Sequence, residues 1–202
     1  MKERRISLVL NLLIIVFEII AFIFSYVSTH KLYFEFYTED SNILALISSS
    51  IFVYYILSKK KIPNWVNIFK YISTVCLSVT FLVVIFILAP MSNFNYQYLL
   101  FSGAMLFHHT LCPILSIITF LFYDKLIGYS KKDVIKGLSF TFVYAFVAII
   151  LNIVGVLDGP YPFLRVRSQT IIESVIWSIV VLGFAYLIAR MLILLYNRIR
   201  SK

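Results

Sequence analysis

Negative charge, glycine and cysteine are all scarce in this chain. Nine Asp and Glu stand against eighteen Lys and Arg, six glycines are scattered singly, and the cysteines are two, Cys76 and Cys112. Isolated glycines exclude the Gly-rich loops that cradle phosphates. Two cysteines exclude a disulfide framework and a Cys-type metal cluster. Both fall within apolar runs, where a free thiol behaves as a small apolar side chain. No low-complexity tract is present and no period repeats along the chain, which excludes a solenoid and gives no sign of the inverted duplication of many transporters.

What fills the chain instead is apolar surface. Apolar residues are 61% and aromatics 17% of the 202 residues, and the mean hydropathy is +0.95. That lies far beyond the roughly 45–50% apolar usage of soluble domains. A helix rises 1.5 Å per residue, so about 20 apolar residues cross the roughly 30 Å hydrocarbon layer. Six stretches meet that length: Ile6–Tyr26, Phe36–Leu57, Val66–Ala89, Tyr98–Phe122, Val134–Val156 and Ile171–Tyr196. The expected fold is all-α, one polytopic membrane domain of six helices in a bundle. The first span is read as retained, because no small-residue cleavage site follows Phe24-Ser25-Tyr26.

Orientation follows from the basic residues, which are retained on the cytoplasmic side of membranes. One side collects Lys2, Arg4, Arg5, Lys59, Lys60, Lys61, Lys70, Lys125, Lys131, Lys132, Lys136, Arg190, Arg198, Arg200 and Lys202, and the other holds only Lys31, Arg165 and Arg167. Both termini are therefore expected inside, in a multi-pass protein of the cell membrane. The net charge of +9 then reads as a topology signal and an attraction to membrane lipids with anionic headgroups, with no nucleic-acid partner.

Polar residues inside the spans carry the functional information, since an ionisable group in hydrocarbon needs a partner or a cavity. They are Asn11 and Glu18 on span 1, Thr38-Glu39-Asp40-Ser41-Asn42 opening span 2, His108-His109 within span 4, and Asn152 on span 5. At about 100° per residue, Thr38, Ser41 and Asn42 share one helical face, with Glu39 and Asp40 to either side. One reading makes this segment a helix cap, in which Thr38 or Asp40 accepts backbone N–H groups and the acids complement the helix dipole. The other makes it the wall of a polar pocket.

His109 lies about ten residues into span 4, roughly 15 Å deep if the helix runs unbroken from Tyr98. Pro113, four residues on, removes a backbone donor and is expected to bend the helix and open a polar hollow. For His108, satisfaction by a neighbouring span stands beside a place in that hollow. An imidazole titrates near neutrality and suits general-base work, and a hydroxyl nucleophile requires such a base. Thr38 is the candidate nucleophile and His109 its base. Glu18, Asp40 or Asn42 could orient the ring, and Asn152 or Ser41 could donate to an oxyanion.

Three motifs occur in order: Phe36-Tyr37-Thr38-Glu39-Asp40-Ser41-Asn42, His109-Thr110-Leu111-Cys112-Pro113 and Tyr161-Pro162-Phe163. This pattern resembles the androgen-induced and androgen-dependent TFPI-regulating membrane proteins of animals and their small bacterial relatives, the Pr6Pr-type proteins. The resemblance implies six spans, hydrolysis of fatty-acid esters of hydroxy fatty acids, and roles for Thr38 as nucleophile and His109 as base. No cofactor is expected. This chain differs in the acidic pair after Thr38 and in a shorter stretch from Thr38 to His109, and is closer to the bacterial branch, which implies a bacterial plasma membrane.

The loop Leu157–Thr170 carries Tyr161, Arg165 and Arg167. These are candidates to hold the carboxylate head of a lipid-like substrate, with pairing of the arginines to Asp158 or Glu173 as the alternative. Two other classes of function stay open: a small proton- or ion-coupled transporter or lipid-binding protein built on Glu18, Asp40 and the histidines, and a metal hydrolase using both histidines with Asp40 or Glu39.

Overall fold

The computed structural model describes residues 2–124 and 128–201. Lys125 and Lys202, assigned above to the basic side, lie outside them. Among the described residues there are helices and no strand. Hydrocarbon offers no hydrogen-bond partners, so each crossing segment closes its backbone bonds within itself.

Among the described residues six α-helices are long and apolar enough to cross a membrane, and a seventh is short. We number them α1 (Lys2–Thr29), α2 (Tyr37–Leu57), α3 (Asn64–Met91), the short α4 (Tyr96–Phe101), α5 (Gly103–Tyr123), α6 (Asp133–Ile153) and α7 (Ile171–Arg200). This is a multi-pass, all-α bundle. Helix α3 sits at its centre, with 61% of its apolar stretch buried against 22% in α6 and 28% in α1 and α7. It packs on α2, α5, α6 and α7, while α1 packs on α2 and α5. Packing of α3 on α6 depends on Gly137, where an added Cβ would come 2.6 Å from the Tyr71 ring. The Tyr71 hydroxyl in turn donates to the Ala189 carbonyl of α7 at 2.9 Å.

Polar side chains join the helices as well. Ser48 meets Ser73 at 2.7 Å, Ser41 meets Thr80 at 2.9 Å, and Thr74 meets Ser116 at 2.9 Å. Small hydroxyl residues let backbones approach closely where apolar burial in lipid gives no drive to associate.

The structure corrects three expectations. Span 4 is not continuous from Tyr98: Ser102 is extended (φ −100°, ψ 133°) and Gly103 has φ +47°, a left-handed conformation open to glycine. The chain therefore breaks between α4 and α5, and the spanning helix starts at Gly103. Second, no side chain caps α2: its N-cap residue is Phe36, and neither Thr38 nor Asp40 does that work. Third, Lys70, counted with the basic side, turns into the bundle and not toward the membrane surface. It is 1% exposed and donates to Asn11 Oδ1 at 2.6 Å and Ser49 Oγ at 3.0 Å. Asn11 and Ser7 donate in turn to Asp124 Oδ1 at 3.1 and 2.6 Å. A buried cation and carboxylate are thus joined through amide and hydroxyl groups, the arrangement that makes buried charge tolerable.

Candidate active site

Thr38 is the second residue of α2, where backbone N–H groups have no acceptor within the helix. Its N–H donates instead to Tyr161 Oη at 3.2 Å, and its Oγ1 lies 3.4 Å from the same hydroxyl. Its carbonyl accepts from Ser41 Oγ at 2.9 Å and Asn42 Nδ2 at 2.7 Å. Asn42 Nδ2 also lies 3.4 Å from the His108 carbonyl. The first turn of α2 is thereby tied to α5 and to the loop before α7.

His109 stands on a stretch of α5, Leu106–Leu111, wound as a π-helix immediately before Pro113. Such turns are frequent at functional sites and re-aim side chains. The break at Ser102 and Gly103 turns α4 so that its last carbonyls face α5. Leu99 O accepts from His109 Nδ1 at 2.6 Å, and Leu100 O from Thr110 Oγ1 at 2.8 Å. A carbonyl only accepts, so Nδ1 carries the proton and the neutral ring leaves Nε2 as a bare lone pair. That nitrogen lies 3.2 Å from Thr38 Oγ1. Helix α4 is itself anchored to α3 by Tyr96, whose hydroxyl donates to Ile85 O at 3.3 Å.

The sequence candidates divide on this geometry. Thr38 and His109 meet. Asn42 and Ser41 hold the Thr38 backbone. Ser41 is also bonded to Thr80 and Asn152 is taken up by the Leu157 carbonyl (2.8 Å) and the Arg167 N–H (3.1 Å), so neither is placed as an oxyanion donor. The ring of His109 is oriented by the Leu99 carbonyl and not by Glu18, Asp40 or Asn42. Glu18 lies instead 3.5 Å from His108 Nε2, both buried, with the Phe22 ring against His108 at 4.8 Å. Glu39 accepts from Ser25 of α1 at 2.9 Å, and half-buried Asp40 faces a separate groove with Glu35, Phe140 and Tyr144. Arg165 and Arg167 are exposed, and among the described residues neither is ion-paired with Asp158 or Glu173. Glu173 is committed to the capping box of α7 with Thr170. Among the described residues no three His, Cys, Asp or Glu side chains converge on a metal position.

Tyr161, expected at a substrate head group, has its hydroxyl against Thr38. Its ring stacks on Phe163 (centroids 5.2 Å, 6° between planes) and meets Phe36 edge-on at 5.7 Å. Burial pushes its hydroxyl up to about 12, against the opposing effect of its bonds to Thr38. It therefore remains a proton donor at neutral pH. From Thr38 a narrow pocket of about 40 Å³ runs between α3, α6 and α7. Its walls include Val83, Val84, Leu88, Ala145 and Val181, with loop residues Tyr161, Phe163 and Leu164 at the Thr38 end.

The Leu99 carbonyl, the contact of the Tyr161 hydroxyl with Thr38 and the inward turn of Lys70 were not legible in sequence. A backbone carbonyl has no residue signature, and the aromatic-Pro-aromatic motif marked Tyr161 without its direction. Searches against protein families, curated proteins and solved structures find no match for this chain.

Proposed function

We propose that this protein is a membrane-embedded hydrolase of fatty-acyl esters, with Thr38 as nucleophile and His109 as general base. One observation carries the reading: the bare Nε2 of His109 lies 3.2 Å from Thr38 Oγ1 while the other ring nitrogen is held by a carbonyl. This is a nucleophile, a base and an orienting group in sequence, the arrangement that activates a hydroxyl. The likeness of the three motifs to the androgen-induced family rests on the same residues.

The chemistry follows from the geometry. Thr38 Oγ1 bonds to the acyl carbon as its proton passes to His109 Nε2 and the carbonyl electron pair moves onto oxygen. The Tyr161 O–H, whose oxygen already accepts the Thr38 N–H, donates to that oxyanion. Collapse expels the alkoxide, which takes the proton from His109 and departs as an alcohol, leaving acyl-Thr38. Water then gives a proton to His109, bonds to the acyl carbon, and collapse returns a proton to Thr38 Oγ1 and releases a fatty acid. The apolar pocket beside Thr38 receives the first carbons of the acyl chain and supplies the water-poor surroundings in which such hydrogen bonds count most.

The test is hydrolysis of long-chain model esters by purified protein, with labelling by an ester-directed covalent probe. Thr38→Ala and His109→Ala should each lose activity by a factor of about 10³ or more and lose the label, while the protein still inserts and folds. An inactive wild type, or variants that match it, refutes the reading. A second reading, proton- or ion-coupled transport, draws on the buried Glu18–His108 pair. It requires flux in proteoliposomes that depends on Glu18 and is indifferent to Thr38.

A further inference from the structure

At the basic end of the bundle, the start of α1 and the end of α2 form an open groove lined by Arg4, Arg5, Leu8, Ile56, Leu57 and Lys59. Three cations share it with three aliphatic side chains, and among the described residues no carboxylate lines it. Arg5 and Leu8 lie three residues apart and Arg4 and Leu8 four, so all three face the same side of α1. Lys59 follows the end of α2 in a left-handed conformation (φ 54°) that turns the chain sharply, and it reaches the groove from the α2 side. Arg4 is held in place by donating from Nη2 to the Ile56 carbonyl at 2.8 Å. That bond occupies one face of the guanidinium and leaves its remaining donors for a ligand.

The groove also adjoins the first turn of a 28-residue helix, whose free N–H groups and dipole favour an anion. Beyond Leu8, α1 presents Val9 (54% exposed), Leu12 (41%) and Val16 (48%) to the surroundings, and Leu57 of α2 is 62% exposed. Charge at the end and apolar surface running away from it match an amphiphile with an anionic head and acyl tails. Two other cations at this end are engaged elsewhere. Lys136 is paired with Asp133 at 2.7 Å, and Lys60 donates to Tyr54 Oη at 3.1 Å and lies over its ring.

We propose that this groove is a binding site for an anionic phospholipid of the surrounding membrane. The phosphodiester is held by Arg4, Arg5 and Lys59, and an acyl chain lies along Leu8 and the outer face of α1. Arginine forks suit phosphate oxygens in bidentate fashion, and a basic pocket between spanning helices is the physical form such sites take. The proposal is independent of the Thr38 chemistry.

The experiment titrates detergent-purified full-length protein with phosphatidylglycerol, phosphatidylcholine and inorganic phosphate, reading bound lipid by native mass spectrometry. Saturable binding of phosphatidylglycerol, at least about 10-fold tighter than phosphatidylcholine, is expected. At about 1 kcal/mol per cation, the triple variant Arg4→Gln/Arg5→Gln/Lys59→Gln should bind about 100-fold more weakly, and Lys59→Gln alone about 5-fold. The Lys59 variant carries the test if the triple variant fails to fold. The control Lys131→Gln/Lys132→Gln/Lys136→Gln removes the same charge elsewhere and should stay near wild type. Equal loss in the control would show diffuse attraction and overturn the site. Competition by inorganic phosphate at matched concentration would show a free-anion site and overturn the lipid assignment.

Discussion

Replacing Tyr161 by Phe tests the proposed oxyanion role apart from architecture at the Thr38 site. The substitution keeps the ring, and with it the stacking on Phe163 and the edge contact with Phe36, and removes only the hydroxyl. In the resting protein that hydroxyl accepts the Thr38 N–H at 3.2 Å and lies 3.4 Å from Oγ1. As a structural hydrogen bond it is worth about 0.5–1.5 kcal/mol, and the orphaned N–H adds at most a further 1–3 kcal/mol. Melting should fall by a few degrees. As an oxyanion donor it is worth much more to the reaction, since loss of one such donor costs about 10²–10³ in kcat. The assay is steady-state hydrolysis of a long-chain ester. A kcat lower by about 10² or more is expected, with KM little changed because the pocket walls are intact. A kcat within about 3-fold of wild type would refute the oxyanion role and leave Tyr161 as a structural support for the α2 N-terminus.

The same hydroxyl gives a pH prediction of definite sign. In the unfolded chain a tyrosine titrates near 10, whereas burial holds Tyr161 up to about 12 in the fold. The folded state retains its proton longer, so the stability this group contributes is fully present below about pH 10 and is lost as pH rises through about 12. Alkaline melting curves of Tyr161→Phe should be flatter than wild type across that window, and identical slopes would contradict the burial argument.

Two further substitutions test the bundle. Gly137→Ala forces a methyl to within 2.6 Å of the Tyr71 ring, which is itself held by the Ala189 carbonyl, and should lower stability by about 1–3 kcal/mol. Unchanged melting would mean that α3 and α6 separate freely. Lys70→Ala leaves Asp124 buried without its cation and should cost about 3–5 kcal/mol, with much of the loss recovered in Lys70→Met/Asp124→Asn. A double variant no better than the single would show that the two charges are not coupled through Asn11 and Ser7.

The six crossings were legible in the sequence, because a long apolar segment in hydrocarbon has helix as its only solution, whatever its neighbours do. Helices α2, α3 and α6 begin within a few residues of their expected starts, and α7 begins at Ile171 as expected. His109 was legible because an imidazole within a span needs a partner or a cavity, and Thr38 because it stands in the polar run that opens span 2. Lys70 failed this test because it sits near a basic loop, and the rule that reads orientation from lysine is blind to a lysine turned inward.

What only the tertiary structure decided is which polar groups face one another. The break at Ser102 and Gly103 depends on two backbone conformations, and it alone delivers the Leu99 carbonyl to His109 and so fixes which ring nitrogen meets Thr38. Tyr161 lies 123 positions from Thr38 along the chain, and Glu18 turns to His108 instead of the neighbouring His109 by the phase of a π-helical turn. Burial and span length are properties each segment carries in its own composition. Convergence of side chains from separate helices depends on helix phase, tilt and loop closure, and those are set only when all the segments pack together.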